Sequence, residues 1–232
     1  MKIISWNCNG AFRKKYHLLE ALNADLLIIQ ECEDPSRSSK EFLSWAGENY
    51  LWTGNDKNKG IGVFAKSHLQ LEALDWESGN LELFLPFSIN KEYHLIGVWT
   101  KQAKSPTFKY IGQFWKYLQL HKDKLRKANQ TIIIGDFNSN SIWDVWDRWW
   151  NHSDVVKELA DMSIESAYHL TTSEKQGEEK TPTLYLHRRI DRPYHIDYAF
   201  LSRDILLDVS LKIGSKDEWL EHSDHMPLIL TL

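Results

Sequence analysis

The chain has 232 residues, 42% hydrophobic and 26% charged, with a formal net charge of −4. That balance describes a globular chain with ample core; no apolar stretch reaches the length of a membrane span, and the totals lack the basic excess of many duplex-binding proteins. Cys8 and Cys32 are the only cysteines, too few for a disulfide framework, so both are expected as buried reduced thiols.

The chain opens on a strand over 2–6 with no basic-then-apolar leader, which predicts a cytoplasmic location. Tyr16, Leu18, Leu19 and Leu22 recur at helical spacing and predict a helix over 15–23. A strand over 26–30, a helix over 38–48 after Pro35 and a strand over 59–66 follow. Residues 69–74, 81–89 and 93–99 read as consecutive strands, an antiparallel run. The apolar stripe Phe108, Ile111, Phe114, Trp115, Leu118 and Leu125 predicts the longest helix, from Thr107 to about Arg126. A strand over 131–135, helices over 141–150 and 153–161, and a polar exposed loop over 171–182 come next. Strands near 183–187, 195–201, 205–213 and 226–231 close the chain. No linker, repeat or low-complexity segment interrupts this pattern, so residues 1–232 are expected to form one domain. Strands mixed with helices imply a layered α/β protein.

The richest segment is Ile132-Ile133-Ile134-Gly135-Asp136-Phe137-Asn138. A β-branched run reads as a buried strand, and the glycine turns the backbone where the strand surfaces. Period-two geometry sends Asp136 and Asn138 to one side and Phe137 back to the core. A carboxylate and a carboxamide at a strand exit suit water activation or phosphate binding. Three further segments share this character: Lys2 to Gly10, a strand delivering Asn7 and Asn9; Asp25 to Glu31, an apolar strand ending in an acid; and Tyr194-His195-Ile196-Asp197-Tyr198 with the distant His222-Ser223-Asp224-His225-Met226-Pro227. Taken alone, Glu31 could equally be a solvated strand-end acid, and Asp224-His225 a loop acid beside a surface histidine.

In order and rough spacing, these segments resemble the endonuclease/exonuclease/phosphatase superfamily of apurinic-site endonucleases, pancreatic-type deoxyribonucleases, sphingomyelinases and inositol-polyphosphate 5-phosphatases. Lys59 to Lys66 adds a likeness to that family's "GVAIFSK" strand. The resemblance implies a four-layer sandwich, two mixed β-sheets packed face to face with helices on both outer sides, and the motif residues meeting at one end. It also implies roles. Glu31 would be the principal ligand of a divalent ion, helped by Asn7 and Asp224; Mg²⁺, or Mn²⁺ in its place, takes oxygen donors and few protein ligands. No Cys/His cluster has zinc spacing. Asp136 would activate the attacking water, Asn138 would hold a phosphate oxygen, and Asp197 would fix the tautomer of His225 and favour its charged form. The imidazolium would stabilise charge on the phosphorane oxygens.

Two positions depart from the family. Where apurinic endonucleases place a Tyr and deoxyribonucleases a His, this chain has Val98-Trp99-Thr100-Lys101, so Lys101 is the candidate replacement donor. Tyr194 stands where the apurinic branch has a pocket-forming Trp, which argues against abasic-site cleavage. Asn9 is the other candidate substrate contact. Of the basic clusters, Arg13 to Lys15 and Arg188 to Arg192 follow motif segments and would flank the mouth; the rest read as solvated faces. Trp143, Trp146, Trp149 and Trp150 fall on one helical stripe, read as packing against the sandwich, with a stacking or wedge surface as the alternative. The expected activity is a Mg²⁺-dependent phosphodiesterase acting on nucleic acid. The alternatives are a phosphomonoesterase or phospholipid-type esterase on the same scaffold, and a non-catalytic binding module.

Overall fold

The computed structural model describes residues 1–102 and 104–232, with Leu207 and Asp208 described by their backbone alone. In chain order the strands are β1 (Lys2–Asn7), β2 (Leu26–Cys32), β3 (Tyr50–Asp56), β4 (Lys59–Ala65), β5 (Leu71–Ala73), β6 (Phe84–Ile89), β7 (Tyr93–Trp99), β8 (Thr131–Asp136), β9 (Ile164–Ser166), β10 (Leu184–Tyr185), β11 (Pro193–Tyr194), β12 (Asp197–Ser202), β13 (Ser210–Ile213) and β14 (Leu228–Thr231). The helices are α1 (His17–Glu20), α2 (Lys40–Ala46), α3 (Ile111–Lys127), α4 (His152–Ala160), α5 (Ala167–Thr172) and α6 (Lys216–Trp219).

The strands form two six-stranded sheets, β13-β14-β1-β2-β4-β3 and β5-β6-β7-β8-β12-β9, plus the small hairpin β10-β11. Each large sheet is mixed: β1 runs parallel to β2, and β7 parallel to β8, while their other pairings are antiparallel. The isoleucine run explains how the layers stack. Ile132 and Ile134 point into the cluster between the sheets, against Ile3, Leu26, Ile28 and Ile61. Ile133 points the other way, into the cluster under α3 and α4 with Phe114, Tyr117 and Val155. Ile4, Trp6 and Ile29 bury the opposite outer face against Phe12, Leu19, Phe42 and Trp219. A strand apolar on both faces must be covered on both faces, and the four-layer sandwich does this.

Several expected elements are corrected. The helix expected over 15–23 shrinks to four-residue α1 after a 3-10 turn at Phe12–Lys14. No helix spans 141–150: a 3-10 turn at Ser141–Trp143 gives way to an irregular loop. Strand β3 was not anticipated, because an edge strand half-exposed along most of its length carries no clean alternation. Within 205–213 only β13 is strand, and the stretch before it is a 3-10 turn over Arg203–Asp208. Among the described residues, no helix is long and apolar enough to cross a membrane.

Candidate active site

The motif residues converge because the ladders bring their strand ends together. Asp197, first residue of β12, is paired in register with Asp136, last residue of β8. Just ahead of β14, Ser223 Oγ donates to the Asn7 carbonyl at 2.7 Å and accepts from the His225 N–H at 3.0 Å, tying that turn to the end of β1. Trp6 Nε1 donates to the His225 carbonyl at 2.9 Å. His225 Nδ1 then lies 3.0 and 3.1 Å from the two Asp197 oxygens, and Nε2 lies 3.9 Å from Asp136 Oδ2.

Asp136 is fully buried and its carboxylate accepts from three donors. Asn7 Nδ2 reaches Oδ2 at 2.9 Å, Asn138 Nδ2 reaches Oδ2 at 3.0 Å, and the Asn138 N–H reaches Oδ1 at 2.8 Å. Asn138 is brought there by a turn, which corrects the pleat-based expectation: β8 has ended, Asn138 has φ 45°, and its side chain also donates to the Thr100 carbonyl at 3.1 Å. Asparagine tolerates this left-handed conformation better than most residues. Phe137 does turn into the core. Gly135 has φ 150°, and a Cβ there would collide with the Val98 carbonyl, so the parallel β7-β8 approach demands glycine.

The electrostatics follow from two carboxylates and an imidazole out of water. Burial raises Asp136 to about 7; His225 opposes that shift and Asp197 adds to it. Burial works against a charge on His225, but Asp197 and Asp136 outweigh it and lift the imidazole to about 10. His225 is therefore the cation of the cluster at neutral pH.

The profile of the Endonuclease/Exonuclease/phosphatase family matches residues 4–225. The chain belongs to this family. Its fold resembles that of the 3′-5′ exonuclease NExo from Neisseria meningitidis (TM-score 0.77, 19% identity, 100% of this chain and 99% of that one). A second Neisseria NExo structure, a 3′ phosphatase bound to a product DNA hairpin, superposes with TM-score 0.75 at 18% identity over 100% of this chain and 99% of that one. An AP endonuclease from Archaeoglobus fulgidus gives TM-score 0.69 at 17% identity over 100% of this chain and 99% of that one. Among curated proteins, no sequence relative is matched.

The other expected site residues of this family member are placed as follows. Glu31 sits at a bulge between Gln30 and Cys32, with φ 58°, and its Oε2 accepts from Lys59 Nζ at 2.5 Å. A partly exposed carboxylate already holding a cation fits a hard divalent ion bound through oxygens. Among the described residues, the ligand atoms that meet within 4.8 Å are those of Asp136, Asp197 and His225. With His225 charged, the two carboxylates are the oxygen donors of that trio and the imidazole has no lone pair to give. Asp224 is half-buried and acts on His225 through its field. Lys101 lies over the Trp99 ring, 4.2 Å from its centroid, and lines a groove with Asn55, Asn58, Lys59 and Glu82. Asn9 lies outside β1, exposed and with φ 54°, so alternation does not carry its side chain to the face of Asn7; its N–H donates to Asn7 Oδ1 at 3.0 Å.

Some residues that shape the site gave no signal in the sequence. Buried Thr183 accepts from the N–H groups of Ile196 and Asp197 at 2.9 and 3.0 Å. Asn140 Nδ2 lies 2.9–3.0 Å from three acceptors that share its two hydrogens, Glu179 Oε2, the His195 carbonyl and Tyr198 Oη. The polar stretch 171–182 is only partly the exposed loop expected. It starts within α5, and Gln176 and Glu179 turn inward onto His152 and His169. Polar residues in a loop reveal an inward orientation only once their partners are known.

Proposed function

We propose that this protein is a divalent-metal-dependent phosphodiesterase whose substrate is nucleic acid. The supporting observation is the Asp136–His225–Asp197 row with Asn7 and Asn138 on the Asp136 carboxylate. Asp136, released from its proton near neutrality, takes one from the attacking water. His225, held charged between two acids, presents Nε2 to a phosphoryl oxygen, and Asp197 fixes the ring through Nδ1. Asn138 positions the same oxygen or its neighbour. Glu31, with Asn7 and Asp224, would hold the ion, Mg²⁺ or Mn²⁺; when bound, it polarises the phosphate and offsets its charge. The two Neisseria neighbours, an exonuclease and a DNA-bound 3′ phosphatase, favour a DNA strand over a small ester.

The test is hydrolysis of bis-para-nitrophenyl phosphate with Mg²⁺, abolished by chelator, followed by a panel of single-stranded DNA, duplex DNA, 3′-phosphorylated oligonucleotide, RNA and inositol phosphates. Asp136→Asn lowers turnover by roughly 10²–10⁴-fold. Nucleic-acid cleavage no higher than that of a His225→Ala control eliminates the nuclease reading. Turnover confined to terminal phosphates makes the enzyme a phosphomonoesterase instead.

A further inference from the structure

The tryptophan-rich segment after the catalytic turn is only in part a packing element. Trp150 is buried against Phe108, with ring centroids 4.5 Å apart. Trp143, Trp149 and Trp146, in contrast, are 44%, 63% and 95% exposed. An indole held almost wholly in water adds nothing to the packed core and leaves a large flat face open to a partner.

The backbone under Trp146 is rigid. Asn151 clamps the turn from both sides: its Oδ1 accepts from the Val145 N–H at 2.9 Å and Arg148 Nε at 3.1 Å, and its Nδ2 donates to the carbonyls of Val145 and Arg148 at 2.9 and 3.0 Å. Arg148 Nη2 donates back to the Trp143 carbonyl at 2.9 Å. Asp144 pins the far end by accepting from the first N–H groups of α4. Trp146 therefore stands at the tip of a loop fixed before any partner arrives.

The loop is continuous with the active site. Asn138 and Asn140 are its root, and the Trp143 ring packs 5.2 Å from Tyr194, three residues before Asp197. Tyr194 belongs to the β10-β11 hairpin, whose exposed turn carries Arg188, Arg189 and Arg192. The loop contributes aromatic faces, with exposed Asp147 as a repelling charge, while the hairpin contributes the cations. Flat faces beside the catalytic turn and guanidinium groups on the neighbouring hairpin match bases and phosphates of one strand.

We propose that Trp146, with Trp143 on the same loop, is a stacking platform for an unpaired or terminal base of the nucleic-acid strand whose phosphate enters the Asp136–His225 site, with the 188–192 turn holding its backbone. This rests on the nucleic-acid reading above. Stacking on one indole is sequence-tolerant and worth about 1–3 kcal/mol per base, or roughly 5- to 150-fold.

The test compares the full-length protein with Trp146→Ala, Trp146→Phe and the distant control Leu120→Ala, a surface change on α3. Each is assayed on a fluorescein-labelled single-stranded DNA oligonucleotide and on bis-para-nitrophenyl phosphate. In Trp146→Ala the ratio of the two kcat/KM values falls about fivefold or more through KM for the oligonucleotide. Trp146→Phe recovers most of that loss, and Leu120→Ala keeps the wild-type ratio. An unchanged ratio in Trp146→Ala, with the wild type cleaving the oligonucleotide, overturns the platform and leaves the nuclease reading standing. No cleavage or binding of the oligonucleotide by the wild type, with the chromogenic diester still hydrolysed, overturns both. A change in sedimentation mass for Trp146→Ala with an unchanged ratio assigns the loop to self-association and also overturns the proposal.

Discussion

Lys59 Nζ donates to Glu31 Oε2 at 2.5 Å, joining β4 to β2 by an ion pair whose carboxylate is 18% exposed and whose ammonium is 51% exposed. An ion entering at Glu31 must displace this ammonium or share the carboxylate with it. Partly exposed pairs of this kind are worth about 0.2–1 kcal/mol. Lys59→Met should therefore tighten Mn²⁺ binding, measured by calorimetry, by about fivefold at most, and lower the Mg²⁺ concentration for half-maximal activity in parallel. Glu31→Gln should weaken both by more than tenfold. Unchanged Mn²⁺ affinity in both variants would remove Glu31 from the metal site.

The pH profile should be bell-shaped. Asp136 must lose its proton to act as base, and burial holds its value up at about 7, so activity falls on the acid side near or below pH 7, the bound cation pulling this limb down. His225 must keep its proton, which the paired acids retain to about 10, so activity falls again on the alkaline side. Asp197→Asn removes a negative charge that raises both groups, and both limbs of kcat/KM should move to lower pH. An alkaline limb unmoved in this variant would show that Asp197 does not govern the charge on His225.

The core, and the residues that meet around Asp136, were legible because each rests on a local pattern. The apolar runs of β1, β2 and β8 mark buried strands wherever they fall in the chain, and Asn7, Glu31 and Asp136 lie at or one residue before their ends. What stayed hidden depends on tertiary pairing. Asn138 reaches Asp136 through a left-handed turn that no alternation predicts. The 141–150 segment has helical spacing of its tryptophans, yet Asn151 captures backbone groups of Val145 and Arg148 and holds it as a loop. Glu31 carries a bulge that sequence alone reads as the plain end of a strand.

Thr183 shows what such hidden residues contribute. Its hydroxyl, fully buried, accepts from the N–H groups of Ile196 and Asp197. Thr183→Val keeps the shape and leaves two buried donors unmet, at about 1–3 kcal/mol for such a loss, which for a chain of this size is a Tm drop of roughly 2–12 °C. It also frees the start of β12, so kcat should fall while Thr183→Ser restores both quantities. A valine variant with wild-type Tm and kcat would mean that water replaces the hydroxyl without cost.

The buried histidine behind the site gives a separable acid response. Burial lowers His152 to about 4, below the ordinary value near 6.5, so the fold favours the neutral ring. Its contribution is complete above pH 6.5 and is lost as pH falls toward 4, on the order of 3 kcal/mol in all. Asp136 runs the other way: its value is raised, so its contribution is complete below the ordinary carboxylate value near 3.8 and is lost as pH rises through about 7. The two run in opposite directions with pH, and variants separate them. Urea unfolding in chelator at pH 4 to 7 should show His152→Gln gaining on the wild type as pH falls, because glutamine keeps polar atoms toward Ser139 and Gln176 but does not titrate. Asp136→Asn should gain on the wild type as pH rises across the same range. Parallel stability curves for wild type and His152→Gln would mean that the ring at 152 takes up its proton alike in the folded and unfolded chain and that its burial carries no acid penalty.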